Sequence, residues 1–203
     1  GAVDQARGDI EAALKAYQAA FASTQEQLRR APNDPDRIFD HAQSVFYLGD
    51  LARKRGDDAE MEQRNLDYFN YAQRLVELAP DDPRSRIELA YAYSNLGAVK
   101  FEQRKSEESI PLFEKSIELR RALAAERPDD PKIAMLHAYG LSWLGYVELI
   151  TGRHAQSAAT YQRQFEIYSG LLGSGDDYTI LDSLVSARRR YGNALLNLGK
   201  VEA

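Results

Sequence analysis

Three histidines and a succession of acidic pairs are the residues of this chain best equipped for chemistry. An imidazole beside a carboxylate can act as a general base, hold a metal ion or activate a nucleophile. His41 and His137 stand 96 residues apart and His154 follows. Asp81/Asp82, Asp129/Asp130 and Asp176/Asp177, with Asp34 after Asn33, supply the carboxylates. No H-E-x-x-H run, nucleophile elbow or cysteine–histidine pair accompanies them. There is no cysteine at all, which removes disulfides and thiolate metal sites and leaves the compartment open. The acidic residues instead precede Pro35, Pro83 and Pro131. This is how a helix N-terminus is written, with Asp capping and Pro in the first turn, where its missing N–H costs nothing. Asn33 replaces the leading Asp in one turn, so no charge is required there. Carboxylates in these turns and on polar helix faces read as structural, and we expect no catalytic residue, no metal site and no cofactor.

The same prolines reveal what organises the chain. Pro32, Pro80 and Pro128 are spaced by 48 residues, and so are Pro35, Pro83 and Pro131. Gly49, Gly97 and Gly145 keep that spacing, with Gly192 following after 47. Seven residues beyond these lie Gly56, Arg104, Gly152 and Gly199; Gly1 and Gly8 are seven apart too. Ala42, Ala90 and Ala138 precede the first glycine by seven, and Leu48, Leu96 and Leu144 by one. A fixed period across so many columns marks a repeat protein. Each unit reads as two helices. The first runs about 20 residues from Pro35, Pro83 or Pro131 to the second glycine or Arg104. The second begins around Asp9, Asp57, Ser106 or His154 and stops before Pro32, Pro80, Pro128 or the 173–175 stretch. Its inward face shows helical spacing: Tyr17/Phe21, Phe69, Phe113/Ile117 and Tyr161/Phe165, then Leu28, Val76 and Leu172, with Asn65 as a polar break. Pro111 lies near a helix start, which limits its effect.

Glycine inside a helix costs about 1 kcal/mol against alanine. Its recurrence at 49, 97, 145 and 192 therefore predicts notches where a neighbouring helix crosses closely. His41 and His137 share a repeat slot with Leu89 and Leu184 and are expected to be partly buried, two units apart and too distant to share a metal. Trp143 occupies the position of Tyr47, Asn95 and Arg190 and reads equally as core or as an exposed anchor.

The chain is 44% hydrophobic and 28% charged, enough for a core and without a disorder signature. A net charge of −5 provides no broad basic surface, so nucleic acid is not expected as a partner. No apolar run approaches the ~20 residues of a membrane helix, so no membrane insertion is expected. The opening GAVDQARGD is not a signal peptide, and the cytoplasm is preferred to the periplasm. Residues 1–8 read as the tail of a first helix and 200–203 as the start of a second, so both ends look cut from a longer array.

Leu–Gly, a second glycine seven on, an aromatic nine later and a closing proline together resemble the tetratricopeptide repeat (TPR) family, whose unit is usually 34 residues. Gly8 to Tyr17, Arg104 to Phe113 and Gly152 to Tyr161 keep the aromatic offset; Ala13, Ser109 and Ser157 supply the small residue, where Met61 departs. Two extra turns per helix would give 48. The resemblance covers essentially the whole chain and implies an all-α fold: a right-handed superhelix (α-solenoid) of antiparallel helix pairs. One array would span 1–203, with a partial unit 1–32, repeats 33–80, 81–128 and 129–175, and a partial unit 176–203. It implies a protein or peptide partner docked on the concave face formed by the first helices. The corresponding positions are Gln43, Phe46, Asp50 and Arg53; Tyr91, Ser94, Ala98 and Phe101; Tyr139, Ser142, Tyr146 and Leu149; Ser186, Arg189, Asn193 and Leu196. Their aromatics suit an apolar anchor, or pack between units. Arg189 and Asn193 match the start of the carboxylate clamp of chaperone-binding relatives; a solvated basic face with Arg188 and Arg190 is the competing reading. Such arrays also serve as regulatory segments of bacterial multidomain signalling proteins of kinase, cyclase or TIR type. Self-association through an apolar terminal face is a further expectation.

Overall fold

The computed structural model describes residues 10–172 and 178–199. All regular structure among them is helical. Eight helices follow in order: α1 (Ile10–Arg30), α2 (Pro35–Arg55), α3 (Asp58–Leu78), α4 (Pro83–Glu102), α5 (Ser106–Glu126), α6 (Pro131–Ile150), α7 (His154–Leu171) and α8 (Tyr178–Asn197). The chain divides into two compact units, Gly1–Val99 and Lys100–Ala203. The expected starts at Asp9 and the 173–175 stop lie outside the described residues.

The aspartates before the prolines do cap. Asp34 accepts from the amides of Asp36 (2.9 Å) and Arg37 (3.4 Å), Asp82 from Arg84 (2.9 Å), and Asp130 from Lys132 (3.0 Å) and Ile133 (3.4 Å). Asp57 does the same for α3 through the Glu60 amide, at 3.0 Å. The second glycine of the ruler closes each first helix in the left-handed region, with φ of 72° at Gly56, 78° at Gly152 and 76° at Gly199. Arg104 adopts φ 63° at the equivalent turn, where a side chain is disfavoured by about 1 kcal/mol or more.

Within each unit, neighbouring helices pair antiparallel, as their short connections require. In the first unit Ile38 clusters with Leu28 and Leu75, Ala42 with Tyr68 and Ala72, and Ala52 with Met61, so early residues of α2 meet late residues of α3. Tyr17 stacks on Tyr47 between α1 and α2, with ring centroids 5.3 Å apart, and Phe69 meets Tyr93 between α3 and α4. In the second unit Gln164 Nε2 donates to the Ala138 carbonyl (2.8 Å) and Ser157 Oγ to that of Gly145 (2.8 Å), tying α7 to α6. Tyr168 clusters with Ala187, and Ala158 and Tyr161 with Ala194, joining α7 to α8.

The inward stripe of the second helices holds at Leu28, Phe113 and Tyr161, all buried, and its last position falls one residue earlier in later units. Leu75 and Leu123 are buried, whereas Val76 is half-buried and Leu172 exposed. Two helical turns from Tyr68 or Ser116 are seven residues, which lands on 75 and 123. At the polar break, Asn65 donates to the Met61 carbonyl at 2.8 Å.

The notches are real at two glycines, and at a third no described residue supplies the other wall. A Cβ on Gly145 would stand 2.8 Å from the Tyr161 ring, and one on Gly49 3.0 Å from Arg64 Cβ. Gly192 has nothing within 4 Å, because no helix follows α8 among the described residues. Gly140, outside the repeat pattern, lies against the buried Arg120, whose Nη1 would be 2.7 Å from an added Cβ. Helix α6 corrects one expectation: by length and composition alone it is apolar enough to cross a membrane. Half of its apolar window is buried inside the protein, as in a core helix, and it carries the buried His137 and Glu148.

Gly145→Leu should therefore lower unfolding stability by about 1–3 kcal/mol through overpacking against Tyr161. Gly192→Ala should raise it by about 0.5–1 kcal/mol by restricting the unfolded chain. Urea melts of both variants check the pair; equal effects would refute the notch at Gly145.

Candidate partner-binding groove

The expected partner-binding positions fall into different settings in the two units. In the first, Phe46 is half-buried against Tyr68 (centroids 5.6 Å apart) and Tyr47 (5.5 Å). Arg53 is exposed and paired with Asp50 at 2.9 Å. On α4, Tyr91 is exposed and Ser94 buried. Near the end of α4, Phe101 is half-buried and meets Tyr146 (5.7 Å) and Trp143 (6.4 Å) edge-on.

In the second unit the geometry converges. Tyr139, Ser142, Trp143, Tyr146 and Leu149 of α6 face Asp182, Ser183, Ser186, Arg190 and Asn193 of α8 across a groove of about 660 Å³. Tyr161 and Tyr168 of α7 form its floor. Trp143 lies flat on Phe113 with centroids 5.7 Å apart, which fixes its indole while leaving it in the groove wall. Tyr139 and Tyr146 remain exposed.

Arg189 does not line the groove; the neighbouring Arg190 does. Arg190 Nη1 donates to Ser142 Oγ (3.3 Å) and Gln164 Oε1 (3.5 Å). The three consecutive arginines are thus not one solvated face: at 100° per residue, the third is turned toward α6 while Arg188 and Arg189 stay exposed. Arg190 could have been found from the ruler, since it holds the slot of Trp143. Gln164, which also donates to Ser142 Oγ, had no such signal.

Two carboxylates depart from the expected surface and cap positions. Glu148 is buried on α6 and accepts from Thr160 Oγ1 at 2.8 Å. Burial pushes its carboxyl up, only partly offset by that bond. Glu88 on α4 accepts from Tyr68 Oη (2.5 Å) and Gln43 Nε2 (2.7 Å), and burial again raises its carboxyl. In the groove floor, burial lifts the Tyr161 phenol to about 12 and raises that of Tyr168, so both remain protonated donors at neutral pH.

The histidines are more deeply buried than expected, at 1% exposure for His41 and 5% for His137. His41 Nδ1 lies 2.9 Å from Thr24 Oγ1, and its ring sits between Phe21 and Tyr71. Neither histidine lines the groove. Among the described residues no group of three or more His, Asp or Glu side chains is placed to hold a metal ion.

No protein-family profile matches the chain, and no curated protein sequence is detectably similar to it. Solved structures do resemble it. BtubC (BKLC) from P. vanneervenii superposes with a TM-score of 0.53 at 13% identity, over 94% of this chain and 85% of that one. MamA gives a TM-score of 0.44 at 18% identity over 98% of this chain and 87% of that one. The de novo designed helical repeat protein DHR64 gives 0.41 at 14% over 95% and 98%. The described helices and the first of these likenesses define the class: an all-α repeat protein of sequentially packed helix pairs.

Burial, then the charges of Arg163, Arg121 and Arg120, lower the His137 pKa from 6.5 to about 4. The folded state favours the neutral ring, so its contribution is full above pH 6.5 and is lost as pH falls toward 4. His137→Leu, the residue found at 89 and 184, should remove this dependence. Between pH 7 and 4 the unmodified protein should lose roughly 3 kcal/mol relative to the variant, at 1.36 kcal/mol per unit. Parallel denaturant melts read the difference; parallel pH profiles would refute it.

Proposed function

We propose that this protein is a non-catalytic interaction scaffold, a long-helix TPR-type array of 48-residue units. Its partner is a segment of protein or peptide held in extended form between α6 and α8. The observation that carries this is the groove itself: aromatic walls, a phenolic floor, and one arginine with Asp182 at the start of α8. From Asp182 to Asn193 it follows eleven residues of α8, about 16 Å, the length of five extended residues. Tyr139, Trp143 and Tyr146 offer flat apolar area to an aromatic or aliphatic anchor. Arg190 has two long bonds to neutral acceptors and no carboxylate at ion-pair distance among the described residues. A half-buried guanidinium in that state favours an acidic group on the ligand. The groove has no histidine and no nucleophile–base pair, which supports binding over turnover. The acidic balance of the chain argues against nucleic acid.

Trp143 is the only tryptophan of the chain, so its emission reports occupancy directly. A peptide library should yield ligands that combine an apolar anchor with an Asp or Glu. Tyr139→Ala, Tyr146→Ala and Arg190→Ala should each weaken such a peptide about tenfold or more, while Glu114→Ala on the exposed face of α5 should not. Fluorescence titration decides: equal loss from Glu114→Ala, or no change at Trp143, places the site elsewhere.

A further inference from the structure

The groove between α6 and α8 holds two charges, and their order along it constrains what it can bind. Of its lining residues only Asp182 and Arg190 are charged. Both stand on α8, eight residues apart, which is about 12 Å along the helix axis. Asp182 departs from the repeat: ten residues before the ruler's glycine, the earlier units carry Phe39, Ile87 and Met135, all half-buried. An apolar slot has become an exposed carboxylate on a groove wall, without an ion pair among the described residues. Arg190 faces the floor further along. Burial raises the phenols of Tyr161 and Tyr168, and the Arg190 charge opposes that rise at both. The two charges are separated by more than the Debye length of about 8 Å at physiological salt, so neither neutralises the other.

What lies between them is mostly aromatic. Helices α6 and α8 run in the same direction, since each is antiparallel to α7. Tyr168 clusters with Ala138 of α6 and Ala187 of α8, so Tyr139 and Ser186 stand at a level between the charges, with the Tyr168 ring beneath. An extended chain advances about 3.3 Å per residue and turns alternate side chains to one face. Residues i, i+2 and i+4 of such a chain therefore span about 13 Å on one face. That matches the succession of Asp182, the Tyr139 and Tyr168 rings, and Arg190. We propose that the partner segment is bipolar, with a Lys or Arg over Asp182, an apolar side chain between, and an Asp or Glu on Arg190, at alternate positions. This inference rests on the groove being the binding site. The order of charges is fixed and the chain direction is not, because a reversed peptide of reversed sequence presents the same side chains. A segment acidic throughout meets Asp182 as a like charge and is disfavoured.

Titration of the Trp143 emission with capped peptides tests it. The reference probe is Lys-Ala-Phe-Ala-Glu between alanine flanks. Replacing its Lys by Gln should weaken binding about two- to fivefold at low salt, and replacing it by Glu should weaken it further. Against Asp182→Asn the Lys and Gln peptides should bind alike, while Asp182→Glu should restore the preference. The position is exposed, so both variants should keep their fold. Lys-Phe-Glu and Lys-Ala-Ala-Phe-Ala-Ala-Glu misplace the charges and should bind no better than the Gln peptide. In about 0.5 M salt the preference for Lys should fade. Peptides that change the Trp143 emission without preferring Lys, or that keep the preference in Asp182→Asn, overturn the bipolar ligand and leave the groove standing. No response at Trp143 to any peptide overturns both, which is also the result if a second copy or another part of this chain fills the groove.

Discussion

The architecture depends on how closely two antiparallel helices approach at one point of the pairs α2–α3 and α6–α7. At Gly145 the Tyr161 ring rests on bare backbone, and Ser157 Oγ reaches the Gly145 carbonyl at 2.8 Å. No side chain larger than hydrogen leaves that room. Once this crossing is fixed, the rest of α6 has little choice: one flank packs on α7 and another is turned toward α8. The groove is the consequence of two first helices held at one helix's width from each other by the second helix between them. The aromatic floor and the notch are therefore the same residue seen from two sides, since Tyr161 fills the one and lines the other.

The interior is unusually polar for so regular a fold. Arg120 is fully buried and donates to the Leu136 carbonyl at 3.4 Å, in space opened by Gly140. Gln164, also fully buried, bonds the Ala138 carbonyl and the Ser142 hydroxyl. Glu88 collects Tyr68 and Gln43. An apolar seam tolerates sliding by one turn at little cost, whereas a buried donor that loses its acceptor costs about 1–3 kcal/mol. These groups fix the register that alanine-rich faces leave loosely specified.

What the sequence made legible was whatever repeats. Helix limits, aspartate caps and left-handed turns recur every 48 residues, and each is dictated by local backbone chemistry that needs no partner. Gly145 and Gly49 were legible for the same reason; the wall that would test Gly192 lies outside the described residues. Non-repeating features were hidden. Nothing near Arg120 in sequence announces a buried guanidinium, because the space comes from Gly140, twenty residues on and outside the period. Leu172 shares a column with the buried Leu28 but is exposed, because α7 ends at Leu171.

The same contrast bears on function. Positions that hold the fold together are bound by the period, so a departure from it marks a residue released from that duty or given another. Arg190 stands in a slot that the period does not fix, held by Tyr47, Asn95 and Trp143 in the other units. The indole of Trp143 is satisfied by stacking on Phe113. The guanidinium of Arg190 reaches neutral oxygens at 3.3 and 3.5 Å, with much of its donor capacity left toward the groove. In the second unit α6 and α8 supply the two walls and α7 the floor. Among the rings that line it stand two charges, the Arg190 guanidinium and the Asp182 carboxylate.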